Sequence, residues 1–258
     1  MHAGRRYIIS IAGFDPSAGA GILADVKTFE QIGVYGFGVC TAITVQTEDE
    51  FKSVEWLSPK LILSQLDLIL KGCDCEFIKI GLIESFNVLQ EILFFLKRNY
   101  PQIKVIWDPV LKASVGYEFH HLIDKEQVLS CCRDIFLITP NPEEAQYMMG
   151  IKDVYEAAHV ISQRTSVFLK SYVDENGSHM DILFHDNNEY HMNTSLLQGA
   201  EKHGSGCVLS SAIGSFLGLG YDLKISCKLA KDYTLQFLKS TEGRLGVHNN
   251  IRNMVEHG

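Results

Sequence analysis

Short apolar runs, each stopped by a glycine or a polar residue and separated by stretches of helical period, constrain this chain more than any other feature. Tyr7 to Ala12 is almost wholly apolar and stops at Gly13. Phe37 to Val45, Phe77 to Ile80, Val105 to Trp107, Ile135 to Thr139 and Val167 to Lys170 repeat the pattern. Such runs read as parallel strands buried on both faces. Between them, Ile22, Leu23, Val26, Phe29 and Ile32 form a helical stripe opened by Gly19-Ala20-Gly21 and ended by Gly33. Pro59 to Lys71, Ser85 to Arg98, Lys125 to Cys132, Glu143 to Met149 and Val154 to Gln163 carry the same period. Helices of this length between strands predict right-handed crossovers. The expected fold is α/β, with a mostly parallel central sheet and helices on both faces. Glu48 to Lys52 reads as a polar loop before a short strand, Val54 to Leu57. Near the end the texture changes: the turn clusters Asp174 to Ser178 and His185 to Glu189 separate Ser171 to Val173, Met180 to Phe184 and Tyr190 to Met192, which predict antiparallel edge strands. Ser226 to Ser240 is a final amphipathic helix, and the tail beyond Gly243 reads as loosely held.

At 258 residues, 46% of them apolar, the chain has material for one sizeable core, so residues 1–258 are read as a single domain. A formal charge of −8 and no run of Lys or Arg argue against a nucleic-acid partner and for a small molecule. Seven cysteines form an odd set without metal-finger spacing, and MHAGRRYIIS lacks a secretory apolar core. Reduced thiols in a cytoplasm are expected, with Cys40 and Cys227 assigned to packing. No apolar stretch approaches the roughly 18 to 20 residues of a membrane span.

Chemistry concentrates in HGSGCVLSSAIGSFL, His203 to Leu217. Gly204 and Gly206 permit positive φ and close backbone approach, and an apolar helical period follows. The turn with Ser205 reads as a helix start whose unpaired N–H groups and positive dipole end suit a phosphate. Cys207 lies in the first turn, where that field favours thiolate; the alternative is a buried helix start with an inert thiol. In open parallel sheets ligands collect beyond the carboxyl ends of the strands. Gly13 and Asp15, Gln46, Gly81 and Leu82, Asp108, and Asn141 and Glu144 follow predicted strands, and Lys170 sits at the end of another. Asp108, Asn141 and Glu144 are oxygen ligands suited to Mg²⁺, directly or through water, and Lys170 is a cation for phosphate oxygens. Together they make the inventory of in-line phosphoryl transfer.

The segments IAGFDPSAGAGILADVKTFEQIGVYG, TAITVQT, IKIGLI, WDPVLKASVG, ITPNPEEA and HGSGC, in this order over about residues 7 to 240, resemble the motif series of the hydroxymethylpyrimidine and phosphomethylpyrimidine kinases of thiamine biosynthesis. The resemblance implies a ribokinase-like three-layer fold, ATP and Mg²⁺ as co-substrate and cofactor, and a homodimer. Relatives acting on sugars carry Asp where this chain has Cys207. By the same resemblance Cys207 faces the substrate hydroxymethyl as base or electrostatic substitute, and Gly204 and Gly206 form the anion hole. Asp25 and Gln46 hydrogen-bond the aminopyrimidine ring, and Gly13, Leu82 and Val110 line its pocket, with Leu82 in place of the usual methionine.

Three departures stand out. Lys170 is followed by Ser171, Tyr172 and Val173 where the family has K-G-G-H, and Glu201 and Lys202 replace the Asn-Thr before His203 and Gly204. The loop after Asp108 carries Lys112 and Ser114 in a divergent context. Three functions therefore stay open at this level: a hydroxymethylpyrimidine kinase, a pyridoxal or pyridoxine kinase of the same fold, and a pyrimidine-binding homologue with impaired ATP use. Phosphorylation of the monophosphate and a monovalent-cation requirement are also open.

Overall fold

The computed structural model describes residues 6–112, 116–117, 119, 124–193 and 201–249. Nine strands form one sheet: β1 (Tyr7–Phe14), β2 (Tyr35–Gln46), β3 (Phe51–Trp56), β4 (Phe77–Ile80), β5 (Lys104–Trp107), β6 (Leu137–Ile138), β7 (Ser166–Val173), β8 (His179–His185) and β9 (Asn188–Asn193). Their order is β3-β2-β1-β4-β5-β6-β7-β8-β9. The six strands from β2 to β7 pair in parallel, and β3, β8 and β9 are antiparallel additions at the two edges.

The helices are α1 (Gly21–Ile32), α2 (Pro59–Leu70), α3 (Phe86–Asn99), α4 (Lys125–Cys132), α5 (Pro142–Met149), α6 (Val154–Ser162), α7 (Ser205–Gly218) and α8 (Leu223–Lys239). Strand alternation sorts the core into two layers. Ile9, Ile11, Ile78, Ile80, Val105 and Trp107 face the helices α2 to α6. Their neighbours Ile8, Phe77, Ile106, Leu137 and Phe168 face α1, α7 and α8 on the other side. The period-2 geometry of a strand makes a continuous apolar run serve both layers. Among the described residues no helix is long and apolar enough to cross a membrane.

Several boundaries differ from the sequence reading. Lys52 belongs to β3, so the polar loop is confined to residues 47–50. Gln46 is the last residue of β2 instead of following it. The run Ile135 to Thr139 contributes only two strand residues, Leu137 and Ile138. The segment after Lys170 does not start a new strand: β7 continues through an irregularity between Leu169 and Tyr172 and pairs with β8 along both halves. The tail is not loose up to residue 248. His248 packs on Phe237 with ring centroids 4.8 Å apart and planes tilted by 45°, and its Nδ1 lies 3.3 Å from the Tyr233 hydroxyl. Burial there pushes its pKa down to about 4, so the ring is neutral.

Candidate active site

The chain runs from β1 outward to β2 and β3, then returns to β4 on the opposite side of β1. This reversal opens a crevice at the carboxyl ends of the strands, the place where open α/β sheets bind ligands. A cavity of about 1340 Å³ lies there. Gly13, Gln46, Leu82, Val110, Asp108, Asn141, Glu144, Lys170, Gly204, Ser205, Gly206 and Cys207 all line it. Of the strand-end residues Gly81 does not line it, but twelve of the thirteen residues given a catalytic, ring-binding, phosphate or metal role from the sequence are brought together. The exception is Asp25. Ser114 lies outside the described residues.

Two loops interlock at the cavity floor, and glycine makes this possible. Gly204 has φ 76°, and a Cβ there would sit 2.1 Å from the Gly19 carbonyl oxygen. Gly21 has φ 61°, and its Cβ would sit 2.2 Å from the Gly13 carbonyl oxygen. His203 Nε2 lies 2.8 Å from Asp15 Oδ2, both side chains being buried, and Asp15 also accepts from the Ser17 and Ala20 amides. Burial would raise the Asp15 carboxyl, but the His203 contact and the Ser17 and backbone bonds outweigh it and hold it below the usual range. His203 is thus a hydrogen-bonding loop residue. No side chain caps α7 among the described residues. The Ser205 amide donates to the Lys202 carbonyl at 3.3 Å, so the Gly206 and Cys207 amides are the first-turn donors left at the crevice.

Beneath this turn lies a charged cluster. Lys170 Nζ is 3.0 Å from Asp108 Oδ1 and 3.8 Å from Glu144 Oε2. Asp108 also accepts from Thr139 and Ser210, each at 3.2 Å. Burial would raise the Asp108 carboxyl, yet the ammonium groups of Lys170 and Lys79 prevail and hold it below the usual range. Glu144 goes the other way: burial, only partly opposed by Lys170 and reinforced by Asp108, pushes it up to about 7. Burial works against the Lys170 charge, but the two carboxylates raise its pKa above normal. Asn141 and Glu144 form a capping box at the start of α5, with Asn141 Oδ1 accepting from the Glu144 amide and Glu144 Oε2 from the Asn141 amide. Asn141 thus offers its side-chain NH₂ to the cavity, while its oxygen is committed to the helix.

Among the described residues no group of three or more His, Cys, Asp and Glu stands ready to hold a metal. Mg²⁺ commonly keeps several waters and takes one or two carboxylates plus substrate phosphates. Asp108 and Glu144, bridged by Lys170, fit that requirement through water, since the Asp108 oxygens are already hydrogen-bonded.

Two expectations are corrected. Asp25 does not reach the cavity. It is fully buried between α1 and the sheet, where both oxygens bond Lys79 Nζ, at 3.0 and 2.9 Å, and accept from Ser10 Oγ at 2.5 Å and Ser211 Oγ at 2.7 Å. Four donor contacts leave little of it for a ligand. The missed partner, Lys79, sits inside the apolar run Phe77–Ile80, in register with Ser10 of β1. Two polar residues on the same face of adjacent buried strands were the available signal. Cys207 is also not a thiolate. Burial raises its pKa to about 11; Lys79 and the Gly21 amide lower it, while Asp25 and Asp108 raise it. Desolvation and two carboxylates therefore overcome the helix-start field that favours the anion.

The departures after Lys170 are accommodated. Ser171 adopts the left-handed φ of 54° that favours glycine, and its amide donates to Asp181 Oδ1 at 2.7 Å. Asp181 is itself held by Lys231 at 2.7 Å. The Tyr172 ring turns outward toward Tyr155 of α6, with centroids 6.4 Å apart, instead of lining the cavity. Glu201 does line the cavity. Lys202 is turned back onto Thr241 and Gly243, so it does not offset Glu201 at the phosphate turn.

The phosphomethylpyrimidine kinase family model matches residues 15–252. The chain belongs to this family. The phosphomethylpyrimidine kinases are phosphotransferases, and the relatives of this chain are hydroxymethylpyrimidine/phosphomethylpyrimidine kinases of thiamine biosynthesis. It is 32% identical over 249 residues to the hydroxymethylpyrimidine/phosphomethylpyrimidine kinase of Aquifex aeolicus, covering 91% of this chain and 94% of that one. The crystal structure of phosphomethylpyrimidine kinase from Clostridium difficile 630 superposes with a TM-score of 0.76 at 33% identity, covering 90% of this chain and 99% of that one. The pyridoxal kinase of Staphylococcus aureus in complex with ADP reaches 0.82 at 22% identity, over 98% of this chain and 96% of that one, a likeness of fold alone. Other relatives are longer: the chain spans 45% of a putative hydroxymethylpyrimidine/phosphomethylpyrimidine kinase 2 of Schizosaccharomyces pombe, at 31% identity over 87% of this chain. The fold is the ribokinase-like α/β arrangement shared by these kinases.

Proposed function

We propose that the chain transfers the γ-phosphoryl group of ATP to the hydroxymethyl oxygen of 4-amino-5-hydroxymethyl-2-methylpyrimidine, and then phosphorylates the monophosphate. The observation that carries this reading is one cavity whose lining residues separate along the strand order, those from the ends of β1, β2, β4 and β5 from those at β6 and β7. On one side Gly13, Leu82 and Val110 make a mostly apolar wall with the Gln46 amide for a polar ring edge. On the other lie Lys170, Asn141 and Glu144 for the nucleotide phosphates.

In the transfer, the acceptor oxygen forms a bond to the γ-phosphorus as the bond to the β-phosphate bridging oxygen breaks, and ADP leaves with that electron pair. Such a transition state needs positioning and charge neutralisation more than a strong base. The amides of Gly206 and Cys207 receive the charge on the transferred group. The neutral Cys207 thiol orients the acceptor hydroxyl, whose proton passes late in the transfer to an oxygen of the transferred phosphoryl group and from there to solvent. Lys170 bonds phosphate oxygens once they compete with Asp108 and Glu144 for its ammonium. Mg²⁺, held through water by Asp108 and Glu144, would neutralise the nucleotide phosphates. A homodimer joined at the open sheet edges belongs to the same proposal, and light scattering of the purified protein tests it.

The decisive assay is ADP release from Mg-ATP with the hydroxymethylpyrimidine, its monophosphate, pyridoxal or no acceptor. Turnover with the two pyrimidines is expected. Turnover with pyridoxal alone would move the chain to the pyridoxal kinases. Pyrimidine binding without turnover would make it a binding protein that has lost the nucleotide.

A further inference from the structure

Arg244 lines the cavity although it follows the last helix and lies outside every strand-end motif. Its backbone is fixed there: the His203 amide donates to the Arg244 carbonyl at 2.9 Å, and Lys202 holds the preceding residues through Thr241 and Gly243. Its side chain is less well satisfied. Arg244 Nε is buried and has no hydrogen-bond partner among the described residues. Among the described residues Nη1 reaches Asp49, at 3.4 Å, and that aspartate is 71% exposed, so the pair contributes little. A buried guanidinium N–H left without an acceptor is costly and calls for an explanation.

Position decides which anion would satisfy it. Asp49 belongs to the turn between β2 and β3, beyond Thr44 and Gln46, and Leu245 packs closely against Gly19 of the first loop. Arg244 is thus on the β1 and β2 side of the α7 turn, where the acceptor pocket lies. Lys170 and Glu144 are on the β6 and β7 side. The two acceptors of the proposed function share a ring and differ by one phosphate. The mostly apolar wall reads the ring in both. A cation on the acceptor side reads the difference, and the guanidinium fork matches phosphate oxygens in pairs.

We propose that Arg244 binds the phosphate of the pyrimidine monophosphate, and so sets the preference of the second phosphoryl transfer over the first. This rests on the kinase reading above. In that second step one phosphate oxygen of the monophosphate forms the new bond to the γ-phosphorus while the bond to ADP breaks. Arg244 holds the two oxygens that do not react.

The test is titration calorimetry of the hydroxymethylpyrimidine and of its monophosphate against the wild type, Arg244→Gln and Arg244→Lys, with thermal unfolding of each protein alongside. Loss of a charge-assisted pair should lower the ratio of monophosphate to alcohol affinity by about 10- to 100-fold in Arg244→Gln. Arg244→Lys, which keeps the charge and loses the fork, should fall between. An unchanged ratio in folded Arg244→Gln overturns the assignment, as does a weakening confined to ATP. A wild type that binds neither pyrimidine overturns the kinase reading itself, and Arg244 with it. A wild type that binds both, with the ratio unmoved by either variant, removes only Arg244.

Discussion

Asp25 offers the sharpest test, because the family resemblance makes it a ring contact on the cavity and the structure makes it one half of a buried ion pair. Lys79 Nζ bonds both of its oxygens at 3.0 and 2.9 Å, and both side chains have 0% exposure. Removing one partner of such a pair leaves a charge in the interior and typically costs about 3–5 kcal/mol. A domain has only about 5–15 kcal/mol in total. The two single variants should not be equal. Lys79→Met leaves Asp25 the hydroxyl donors Ser10 and Ser211, at 2.5 and 2.7 Å. Asp25→Asn leaves Lys79 without a carboxylate among its described hydrogen bonds, so it should be the more destabilised, near the upper end of the range. Removing both charges in Asp25→Asn/Lys79→Met should cost at least about 3 kcal/mol less than the sum of the singles, since the second change no longer strands a buried charge. Urea unfolding followed by circular dichroism, with a constant m-value, measures each step. An Asp25→Asn protein within about 1 kcal/mol of wild type and a raised KM for the pyrimidine would refute the buried-pair reasoning and restore Asp25 to the ligand.

Four further outcomes are expected. Cys207→Ala should lower kcat by about 10-fold or more and leave pyrimidine affinity within a few-fold, with unchanged kcat removing the thiol from the chemistry. Alkylation of Cys207 should be slow at neutral pH and accelerate toward about pH 11, and a plateau below pH 8 would show a thiolate instead. Glu144 has a folded pKa of about 7 against an ordinary 4.5, so its contribution to stability is complete below about pH 4.5 and is lost as pH rises through about 7. Glu144→Gln should remove that slope, on the order of 3 kcal/mol across the window, measured as Tm against pH without nucleotide. Ser171→Gly should stabilise by about 1 kcal/mol, because it relieves a left-handed serine; destabilisation would mean that Ser171 does not hold that conformation.

Much of this was legible in the sequence because parallel strands announce themselves as apolar runs and their ends carry the ligands. The strand-end residues Gly13, Leu82, Asp108 and Asn141 needed only that rule to be placed on one crevice. What stayed hidden depended on which way a side chain points. Asp25 and Lys79 are separated by fifty-four positions, and only the register of Ser10 with Lys79 brings them under α7. The helix-start position of Cys207 was legible, but its charge state follows from burial and from two carboxylates contributed by other elements. Tyr172 looked obstructive as a letter after Lys170; an outward turn of the backbone at Ser171 takes its ring away. Arg244 had no motif to announce it, since its place depends on a tail returning across the molecule.

The Ser171 elbow has a wider meaning for how such a family can diverge. There the shape that glycine would supply freely is kept by a serine whose amide is tethered to Asp181, which is braced in turn by Lys231. Heredity at this position acts on a torsion angle, and the letter that encodes it is replaceable wherever neighbours can hold the bend. Alignment by residue identity will therefore undercount kinship at this elbow. Substitutions at Asp181 or Lys231, distant in sequence from any motif, should disturb the nucleotide side as surely as changes beside Lys170.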